Sequence, residues 1–344
     1  MWPYNIHIRS RTLFYLGLLA LVIFFWHFIL RSDDFRMIRA NQLPYVDFKH
    51  LLIACVLAAE KGGLEVVKSA SNFNISLKGK TREGVDDVLT DGDKRSNVIM
   101  VNSLLYTIPG IKVISEENLQ NDDIIELLNV EKHLKSTEYS AIPDDIQLNL
   151  DDLVIWIDPL DATKEYSEGL TEFVTTMVCV ARNGEPIIGV IHQPFESKTY
   201  WTSKFGIDKK LLNFGSIDHQ TNQSLRIIIS RSHSGNVKNW LQKNPRLPKN
   251  LTIIEAAGSG YKTLQLLKDN ADIYLHQTYI KKWDICAPNV LLRYSSKGGV
   301  MTTLNGVEID YGFQTDVLNR DGIFATNRPD LIHWRDIINN PMGH

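Results

Sequence analysis

The hydrophobic pattern divides the 344-residue chain into an apolar run near the N-terminus and a longer region of mixed polarity. Residues 13–30 contain one ionisable side chain, His27, and as a helix they would span roughly 27 Å at about 1.5 Å per residue. The run is long enough for a thin bilayer, exceeds the apolar part of a signal peptide and precedes no small-residue cleavage site. We therefore expect an N-terminal tip (residues 1–12), a signal anchor (13–30) and a stem (31–45).

Beyond residue 45 the spacing of apolar residues changes repeatedly between helical and strand-like periods. Asn183-Gly184 lies between two β-branched segments and predicts a hairpin across residues 173–192, and Asn305-Gly306 predicts another. Residues 117–152 are polar and acid-rich, which indicates an insertion with a short helix near 124–128. We expect helices at 46–70, 94–106, 237–242, 262–268 and 285–294, and strands at 111–114, 153–157, 225–229 and 272–276. This mixture predicts a layered α/β (α+β) sandwich over residues 46–340.

Composition narrows the function classes and the redox chemistry. The chain is 44% hydrophobic and 22% charged with a formal net charge of −3, which excludes a disordered protein and a binder of polymeric nucleic acid. The three cysteines, Cys55, Cys179 and Cys286, are widely spaced and lie in apolar segments. We therefore expect buried free thiols, and neither a zinc site nor a disulfide scaffold.

The strand predicted at 153–157 ends in two carboxylates, Asp158 and Asp161, with Pro159 and Leu160 between them. Because Pro159 cannot continue a strand ladder, the two carboxylates and the Leu160 carbonyl can converge where the strand ends. Such hard oxygen ligands suit Mg²⁺. An ordinary Asp-Pro turn remains the alternative for this motif alone.

Three further acidic groups strengthen the metal hypothesis. Glu116 and Glu117 directly follow the strand predicted at 111–114, and Asp284 lies where a helix is predicted to begin. Alone, Asp284 fits a helix cap equally well. Asp87 and Asp93 precede another predicted helix. Carboxylates at several strand and loop ends predict one shared cation site, in which two Mg²⁺ ions would support a phosphoryl transfer.

Four motifs, in this order, resemble those of the inositol monophosphatase superfamily, the lithium-inhibited, Mg²⁺-dependent phosphomonoesterases. They are D-x-x-T-x-x-D (Asp87, Thr90, Asp93), E-E (Glu116, Glu117), D-P-L-D-A-T (Asp158 to Thr163) and W-D-I-C-A-P (Trp283 to Pro288). The resemblance covers roughly residues 46 to 340. Within the superfamily, D-P-L-D-A-T-K-E-Y, S-R-S-H-S (Ser230 to Ser234), G-S-G-Y-K (Gly258 to Lys262) and K-K-W-D resemble 3′(2′),5′-bisphosphate nucleotidases.

This resemblance implies an αβαβα layered fold and a role for each residue at a matched position. Glu116, Asp158 and the Leu160 carbonyl would hold one Mg²⁺, and Asp158, Asp161 and Asp284 a second, with two or three ions expected in all. Thr163, paired with Asp93, would activate the attacking water. The residues that would bind the substrate are Ser230, His233, Gly258, Lys262 and Asp284, with Lys262 facing the second phosphate. The scissile phosphate would rest on amides at the helix start after Asp161.

One position departs from the pattern of the wider superfamily. Ala162 replaces a common Gly, and Ala disfavours a positive φ. We therefore expect an ordinary helical start at this residue.

The implied reaction is hydrolysis of the 3′-phosphate of adenosine 3′,5′-bisphosphate to AMP and phosphate. This nucleotide is a by-product of sulfotransferases, so a Golgi-lumenal enzyme would relieve their inhibition. The alternatives are an inositol polyphosphate 1-phosphatase and a membrane-tethered, nucleotide-binding pseudoenzyme. The S-R-S-H-S and G-S-G-Y-K motifs favour the nucleotide over the inositol phosphate.

Two signals disagree about the orientation of the predicted anchor. Lys and Arg counts weakly favour a cytosolic catalytic domain, because two arginines precede the apolar run and three follow it closely. Three N-x-[ST] sequons, at Asn74, Asn222 and Asn250, favour the lumen. Long domains translocate largely regardless of flanking charge, so we expect a single-pass type II protein with residues 31–344 in the Golgi lumen.

Overall fold

The computed structural model describes residues 44–71, 74–80, 84, 86–118, 128–212, 214, 224–232 and 236–339. The predicted tip, anchor and most of the stem lie outside these residues, as does the short helix expected near 124–128. Among the described residues, no helix has both the length and the apolar composition required to cross a bilayer.

Eight α-helices lie within the described residues. They are α1 (Phe48–Ser69), α2 (Asp91–Thr107), α3 (Thr163–Ser167), α4 (Lys209–Leu212), α5 (Val237–Lys243), α6 (Ser259–Leu267), α7 (Lys282–Arg293) and α8 (His333–Asn339). The N-terminus of α2 carries a capping box, in which Thr90 and Asp93 satisfy each other's backbone amides. Helices therefore exist at the five positions predicted between residues 46 and 294 that the structure describes, and α2, α6 and α7 each begin three residues earlier than expected.

The described strands number seventeen, several of them short. They are β1 (Tyr45–Asp47), β2 (Ile75–Lys80), β3 (Asp86–Thr90), β4 (Lys112–Ser115), β5 (Gln147–Asn149), β6 (Leu153–Asp161), β7 (Thr175–Arg182), β8 (Glu185–Gln193), β9 (Lys198–Ser203), β10 (Gly206–Ile207), β11 (Arg226–Ser230), β12 (Thr252–Ala256), β13 (Ile273–His276), β14 (Ile280–Lys281), β15 (Val300–Thr302), β16 (Leu318–Asn319) and β17 (Ile323–Thr326).

Two larger sheets organise the unit formed by Val46–His344. One has six strands in the order β10-β9-β8-β7-β6-β4, antiparallel except for the parallel β4–β6 pair. The other has five strands in the order β12-β11-β13-β17-β15, with parallel pairing only on both sides of β11. The expected mixture of parallel pairs and hairpins is therefore confirmed.

Three of the four hydrophobic clusters among the described residues hold five layers of secondary structure together. The first core joins α1 and α2 to one face of the six-stranded sheet. The second fills the space between the two sheets and contains α6 and α7. The third joins the outer face of the five-stranded sheet to α5 and α8. Alternate residues of β6 enter the first and second cores, as the two-residue period of a strand requires. The expected αβαβα layering is thus confirmed.

The two predicted hairpins have different outcomes. Asn183 and Gly184 adopt φ values of 50° and 85° and connect β7 to its neighbour β8, as the sequence predicts. Asn305-Gly306 also forms a tight turn, with a hydrogen bond from the Gly306 amide to the Thr303 carbonyl. The strand before that turn, β15, pairs with β17 instead of with the segment that immediately follows, so the expectation of a hairpin there is wrong.

A disulfide bond joins Cys179 of β7 to Cys286 of α7, with a Cα–Cα distance of 5.7 Å and 107 residues of separation. The expectation of three free thiols is therefore wrong for two of them. The pair forms because α7 packs directly over β7 in the core between the sheets, which the sequence spacing does not reveal. Cys55 is free and buried, as expected.

Candidate active site

A cavity of about 440 Å³ opens where the two sheets, the α6 and α7 helices and the β2–β3 hairpin approach one another. The ends of the parallel strands β4 and β6 supply one wall, and the end of β11 and the starts of α6 and α7 supply another. The predicted site residues that line it are Glu116, Asp158, Leu160, Asp161, Thr163, Ser230, Gly258, Lys262 and Asp284. Segments separated by more than 160 residues therefore meet at one place.

The end of β6 presents its two aspartates as the sequence predicts. The register with β7 is regular to Asp158 and resumes at Asp161, so Pro159 and Leu160 interrupt the ladder. Asp158 is 1% exposed and accepts a hydrogen bond of 3.1 Å from the Leu160 amide. The Ser96 hydroxyl donates to the Pro159 carbonyl at 2.7 Å and ties the turn to α2.

Asp161 is held by the start of α6. Its Oδ2 atom accepts hydrogen bonds from the Gly260 amide at 2.8 Å and from the Thr175 hydroxyl at 3.1 Å. A Cβ atom on Gly260 would lie 2.3 Å from the Thr175 hydroxyl oxygen, and one on Gly258 would lie 2.7 Å from the Phe173 carbonyl oxygen. Both glycines of the G-S-G motif are therefore needed for α6 to approach β6 and β7 so closely.

Ala162 does not begin a regular helix, contrary to the expectation from its Cβ atom. Its φ and ψ are 71° and 42°, in the left-handed region, and α3 begins only at Thr163. The sharp turn between Asp161 and Thr163 overrides the local preference of Ala, at a strain of roughly 1–2 kcal/mol. The superfamily's usual Gly would adopt this conformation without that strain.

Thr163 and Asp93 form the pair that the resemblance implies. The Thr163 hydroxyl lies 2.8 Å from Asp93 Oδ1 and 2.9 Å from the Leu160 carbonyl oxygen. Asp93 Oδ2 accepts hydrogen bonds from the Thr90 amide, at 2.7 Å, and from the Thr90 hydroxyl, at 2.5 Å. Burial raises the pKa of Asp93 to about 6, and the bonds from Thr90 and Thr163 oppose that rise.

The other carboxylates of the cavity strongly perturb one another. Burial, followed by the charges of Asp161, Glu116 and Asp284, raises the pKa of Asp158 well above its usual range. Burial and the charges of Glu116 and Asp161 do the same to Asp284. Burial raises the pKa of Glu116 to about 7, although Lys78, whose ammonium lies 2.9 Å from its carboxylate, opposes the rise.

These carboxylates have the chemistry of a divalent-cation site. Asp158, Asp161, Asp284 and Glu116 supply hard oxygen ligands at one end of the cavity, and their mutual repulsion would be relieved by a cation. In the part of the chain that the structure describes, no three His, Cys, Asp or Glu side chains form a ready metal-coordinating group. The carboxylate oxygens are thus the type of ligand that Mg²⁺ prefers. Their arrangement around bound ions stays a prediction.

Asp284 also caps the N-terminus of α7, which is the alternative role that the sequence suggested for it. Its Oδ2 atom accepts a hydrogen bond of 3.1 Å from the Lys281 amide at the start of α7. Because one carboxylate oxygen is used in this way, the other is available to face the cavity. The cap fixes the position of the side chain, so the capping and ligand interpretations of Asp284 are compatible.

The substrate-binding residues predicted from the sequence lie at the cavity, except for one that is outside the residues that the structure describes. Ser230 ends β11 and is 5% exposed, and Gly258 precedes α6. The Lys262 ammonium lies 5.0 Å from the centre of the Tyr274 ring. Burial lowers the pKa of Lys262 to about 8, and the charges of Asp161, Glu165 and Asp284 oppose that fall. His233 lies outside the described residues.

Several lining residues received no role from the sequence. They include Lys80, Glu165, Ser232, Tyr274, His276, Tyr279, Ile280 and Leu318. Glu165 belongs to the D-P-L-D-A-T-K-E-Y motif, so its position was a signal that could have been used. Ser232 likewise belongs to the S-R-S-H-S motif, so its position was also a signal. Lys80 lies on the β2–β3 hairpin, and Tyr279 lies between β13 and β14. The remaining residues come from β13, β14 and β16, whose pairing partners are distant in sequence. Lys282, from the K-K-W-D motif, is buried and donates to the Thr315 hydroxyl at 2.7 Å.

Comparison with known proteins finds relatives over most of the chain. The model of the inositol monophosphatase family matches residues 49–336. Putative inositol monophosphatase 3 of Drosophila melanogaster is 40% identical over 299 residues, covering 86% of this chain and 82% of the relative. The Golgi-resident adenosine 3′,5′-bisphosphate 3′-phosphatase of Mus musculus is 42% identical over 274 residues, covering 77% of this chain and 74% of the relative.

Solved structures share the fold at low sequence identity. The extragenic suppressor protein suhB from Bartonella henselae has a TM-score of 0.61 at 17% identity, covering 84% of this chain and 98% of its own. An IMPase/NADP phosphatase complexed with Mg²⁺ and phosphate has a TM-score of 0.54 at 16% identity. The match covers 81% of this chain and 90% of that protein's chain. At these identities the likeness establishes the layered architecture.

Proposed function

This chain belongs to the inositol monophosphatase family of Mg²⁺-using phosphatases, and from that premise we propose that it removes the 3′-phosphate of adenosine 3′,5′-bisphosphate. The products are AMP and inorganic phosphate. The observation that carries the proposal is the combination, in one cavity, of an acidic cluster with an apolar and aromatic wall.

The acidic cluster supports the reaction class. Glu116, Asp158, the Leu160 carbonyl, Asp161 and Asp284 are the groups that would hold two Mg²⁺ ions. Mg²⁺ held there would supply positive charge that makes a nearby water easier to deprotonate and offsets the charge of the phosphoryl oxygens. Lys262 faces the same cavity with its positive charge, which suits the second phosphate of a nucleoside bisphosphate.

Thr163 and Asp93 would carry the proton that leaves the attacking water. Asp93 accepts the Thr163 hydroxyl hydrogen at 2.8 Å, so a lone pair of that hydroxyl is free to accept a hydrogen bond from water. As the water attacks phosphorus, its proton passes to Thr163 and the Thr163 proton passes to Asp93. The hydroxide oxygen forms the new P–O bond while the bond from phosphorus to the ester oxygen breaks. The departing sugar oxygen takes a proton from solvent water to give the free hydroxyl of AMP, and Asp93 returns its proton to solvent.

The choice of substrate rests on the wall beside the acidic cluster. Relatives of nearly equal identity are named as an inositol monophosphatase and as a bisphosphate 3′-phosphatase, so identity alone does not separate the two substrates. Tyr279, Ile280 and Leu318 line the cavity with aromatic and aliphatic surface. A purine base has flat apolar faces for such a wall, whereas an inositol ring presents hydroxyls around its whole edge.

We also propose a Golgi-lumenal location for the catalytic domain. The mouse relative is named as Golgi-resident, and the Cys179–Cys286 disulfide suits an oxidising compartment better than the cytosol. Two sequon asparagines, Asn74 and Asn250, are exposed and therefore accessible to glycosylation. The signal anchor predicted at residues 13–30 would attach the domain to the membrane in a type II orientation.

The test is phosphate release by the full-length protein in detergent, with and without Mg²⁺. We expect Mg²⁺-dependent hydrolysis of adenosine 3′,5′-bisphosphate and much slower hydrolysis of inositol 1,4-bisphosphate. Tyr279→Ala should raise KM for the nucleotide roughly 5- to 100-fold, as expected for the loss of base stacking. Tyr106→Ala is the matched control, because Tyr106 is exposed on α2 and does not line the cavity.

The other outcomes identify the rival functions. Faster hydrolysis of the inositol phosphate than of the nucleotide would show that the protein is an inositol phosphatase. Nucleotide binding without any phosphate release would identify a pseudoenzyme. Equal effects of Tyr279→Ala and Tyr106→Ala on KM would show that the aromatic wall does not bind the base.

A further inference from the structure

Glu165 lies in the cavity but has no part in the reaction described above. It belongs to α3, two residues after Thr163 and four after Asp161, and it is 3% exposed. Its side chain lines the same cavity as the acidic cluster. A carboxylate buried in this place needs either a structural or a functional partner.

Three polar groups already contact or stabilise Glu165. The Ser232 hydroxyl, which also lines the cavity, donates a hydrogen bond of 3.1 Å to Glu165 Oε1. Burial raises the pKa of Glu165, while its own backbone amide, Ser232 and the positive charge of Lys262 oppose that rise. Lys262 also interacts with the charges of Asp161 and Asp284. The Lys262 ammonium thus interacts electrostatically with Glu165 and with two of the proposed metal ligands.

The chemistry of Glu165 restricts what it can face. An ionised carboxylate accepts hydrogen bonds at about four positions and donates none, and Ser232 occupies one of them. Because it repels phosphate, Glu165 cannot be a phosphate ligand. It suits an O–H or N–H donor of the substrate that lies close to the scissile phosphate. In a sugar phosphate, the nearest such donor is the hydroxyl on the carbon adjacent to the ester.

We propose that Glu165 determines specificity by accepting a hydrogen bond from the free hydroxyl vicinal to the scissile phosphate, which is the ribose 2′-hydroxyl of the substrate assigned above. The identity of this hydroxyl rests on the proposed function. The role of the side chain rests on its burial, its place in the cavity and its distance in sequence from Thr163. Glu165 is thus assigned a recognition role rather than a place in the proton relay.

The experiment compares adenosine 3′,5′-bisphosphate with 2′-deoxyadenosine 3′,5′-bisphosphate, using the full-length protein with Mg²⁺. The wild type should prefer the ribonucleotide by roughly 10- to 100-fold in kcat/KM, as expected for a hydrogen bond to a charged group. Glu165→Ala should remove most of that preference, lowering kcat/KM for the ribonucleotide and changing that for the deoxynucleotide less than about threefold. Glu165→Gln, which keeps the shape and one acceptor oxygen, should retain part of the preference.

Glu168→Gln is the matched control, because Glu168 lies one residue beyond α3 and forms a surface ion pair with Arg231 at 3.3 Å. The Glu168→Gln variant should leave the ratio of kcat/KM for the ribonucleotide to kcat/KM for the deoxynucleotide unchanged. Equal losses on both substrates in the Glu165 variants, or a wild type that does not distinguish them, would overturn the proposal. Absence of wild-type activity on both nucleotides, with activity on inositol 1,4-bisphosphate, would instead overturn the proposed function.

Discussion

Thr163 lies 2.8 Å from Asp93, a residue 70 positions earlier in the chain, and their hydrogen bond joins the start of α3 to the start of α2. Asp93 cannot rotate freely, since its second carboxylate oxygen is held by the amide and hydroxyl of Thr90. The pair is therefore oriented before any substrate binds. Such preorganisation is what a proton relay requires.

Thr163→Val should lower kcat by roughly 10²- to 10⁴-fold with little change in KM, because it keeps the shape of the side chain and removes the hydroxyl. Steady-state kinetics on adenosine 3′,5′-bisphosphate measure the effect. Thr107→Val is the matched control, since the Thr107 hydroxyl bonds only to the Ser103 carbonyl on α2 among the contacts described. A variant at Thr163 whose main defect is in KM would show that the residue binds substrate instead.

Asp158→Asn should lower kcat/KM by at least roughly 100-fold, because even groups that only orient metal ligands contribute 10- to 100-fold to metal affinity or activity. The folded Asp158 has a raised pKa, so its ionised form destabilises the metal-free protein above its ordinary pKa. The neutral Asn should therefore raise the metal-free Tm and reduce the further rise that Mg²⁺ produces. Thermal unfolding with and without Mg²⁺ measures both, with the exposed Asp145→Asn as control. An unchanged Mg²⁺ response would exclude Asp158 from the metal site.

The affinity for substrate should fall as the pH rises through about 8. Burial lowers the pKa of Lys262 to about 8, so its ammonium is charged below that pH and neutral above it. Loss of the charge removes attraction for the second phosphate, so KM should rise with pH in the wild type. Lys262→Arg keeps its charge throughout this range and should remove that pH dependence. If both proteins showed the same profile, a different group would control binding.

Removal of the Cys179–Cys286 disulfide, by replacing both residues with Ala, should lower the free energy of unfolding by about 2–5 kcal/mol. Chemical denaturation measures this loss, and Cys55→Ala is the control for replacing a buried free thiol. Thiol titration of the unfolded wild-type chain should find one thiol before reduction and all three of its cysteines after it. Three thiols before reduction would contradict the bond.

Protease added to sealed microsomes should remove only the N-terminal tip of the protein, if residues 31–344 are lumenal. Glycosidase treatment should then increase gel mobility, and replacing exposed Asn250 by Gln should remove one step of that shift. Digestion of the catalytic domain without detergent would show that it faces the cytosol.

The sequence predicted those parts of the site that depend on short segments. Asp158, Pro159 and Asp161 lie within one strand end, and Pro159 interrupts pairing wherever that strand is placed. Asn183-Gly184 likewise specifies its hairpin locally. The positions of Glu116 and Asp284 at strand and helix ends already suggested that they share a site with this strand end. The pairing of Thr163 with Asp93 was reached only through the family resemblance, because no local rule gives a contact across 70 residues.

The expectations that proved wrong involve forces from outside the local segment. Ala162 adopts a positive φ because Asp161 is held by Gly260 on one side and Thr163 by Asp93 on the other. Cys179 and Cys286 bond because two layers of the fold meet at them. In both cases tertiary packing outweighs the preference of the residue itself.

The arrangement of the cysteines also has a consequence for biosynthesis. Cys55 emerges from the ribosome first, and Cys179 then precedes its correct partner by 107 residues of synthesis. During that interval Cys55 is the competing partner for Cys179. Packing of α1 against the six-stranded sheet buries Cys55 on the face opposite the disulfide, where burial also raises its pKa and suppresses the reactive thiolate. Once α1 is packed against the sheet, Cys55 lies on the opposite face from Cys179, so this packing prevents the two cysteines from pairing.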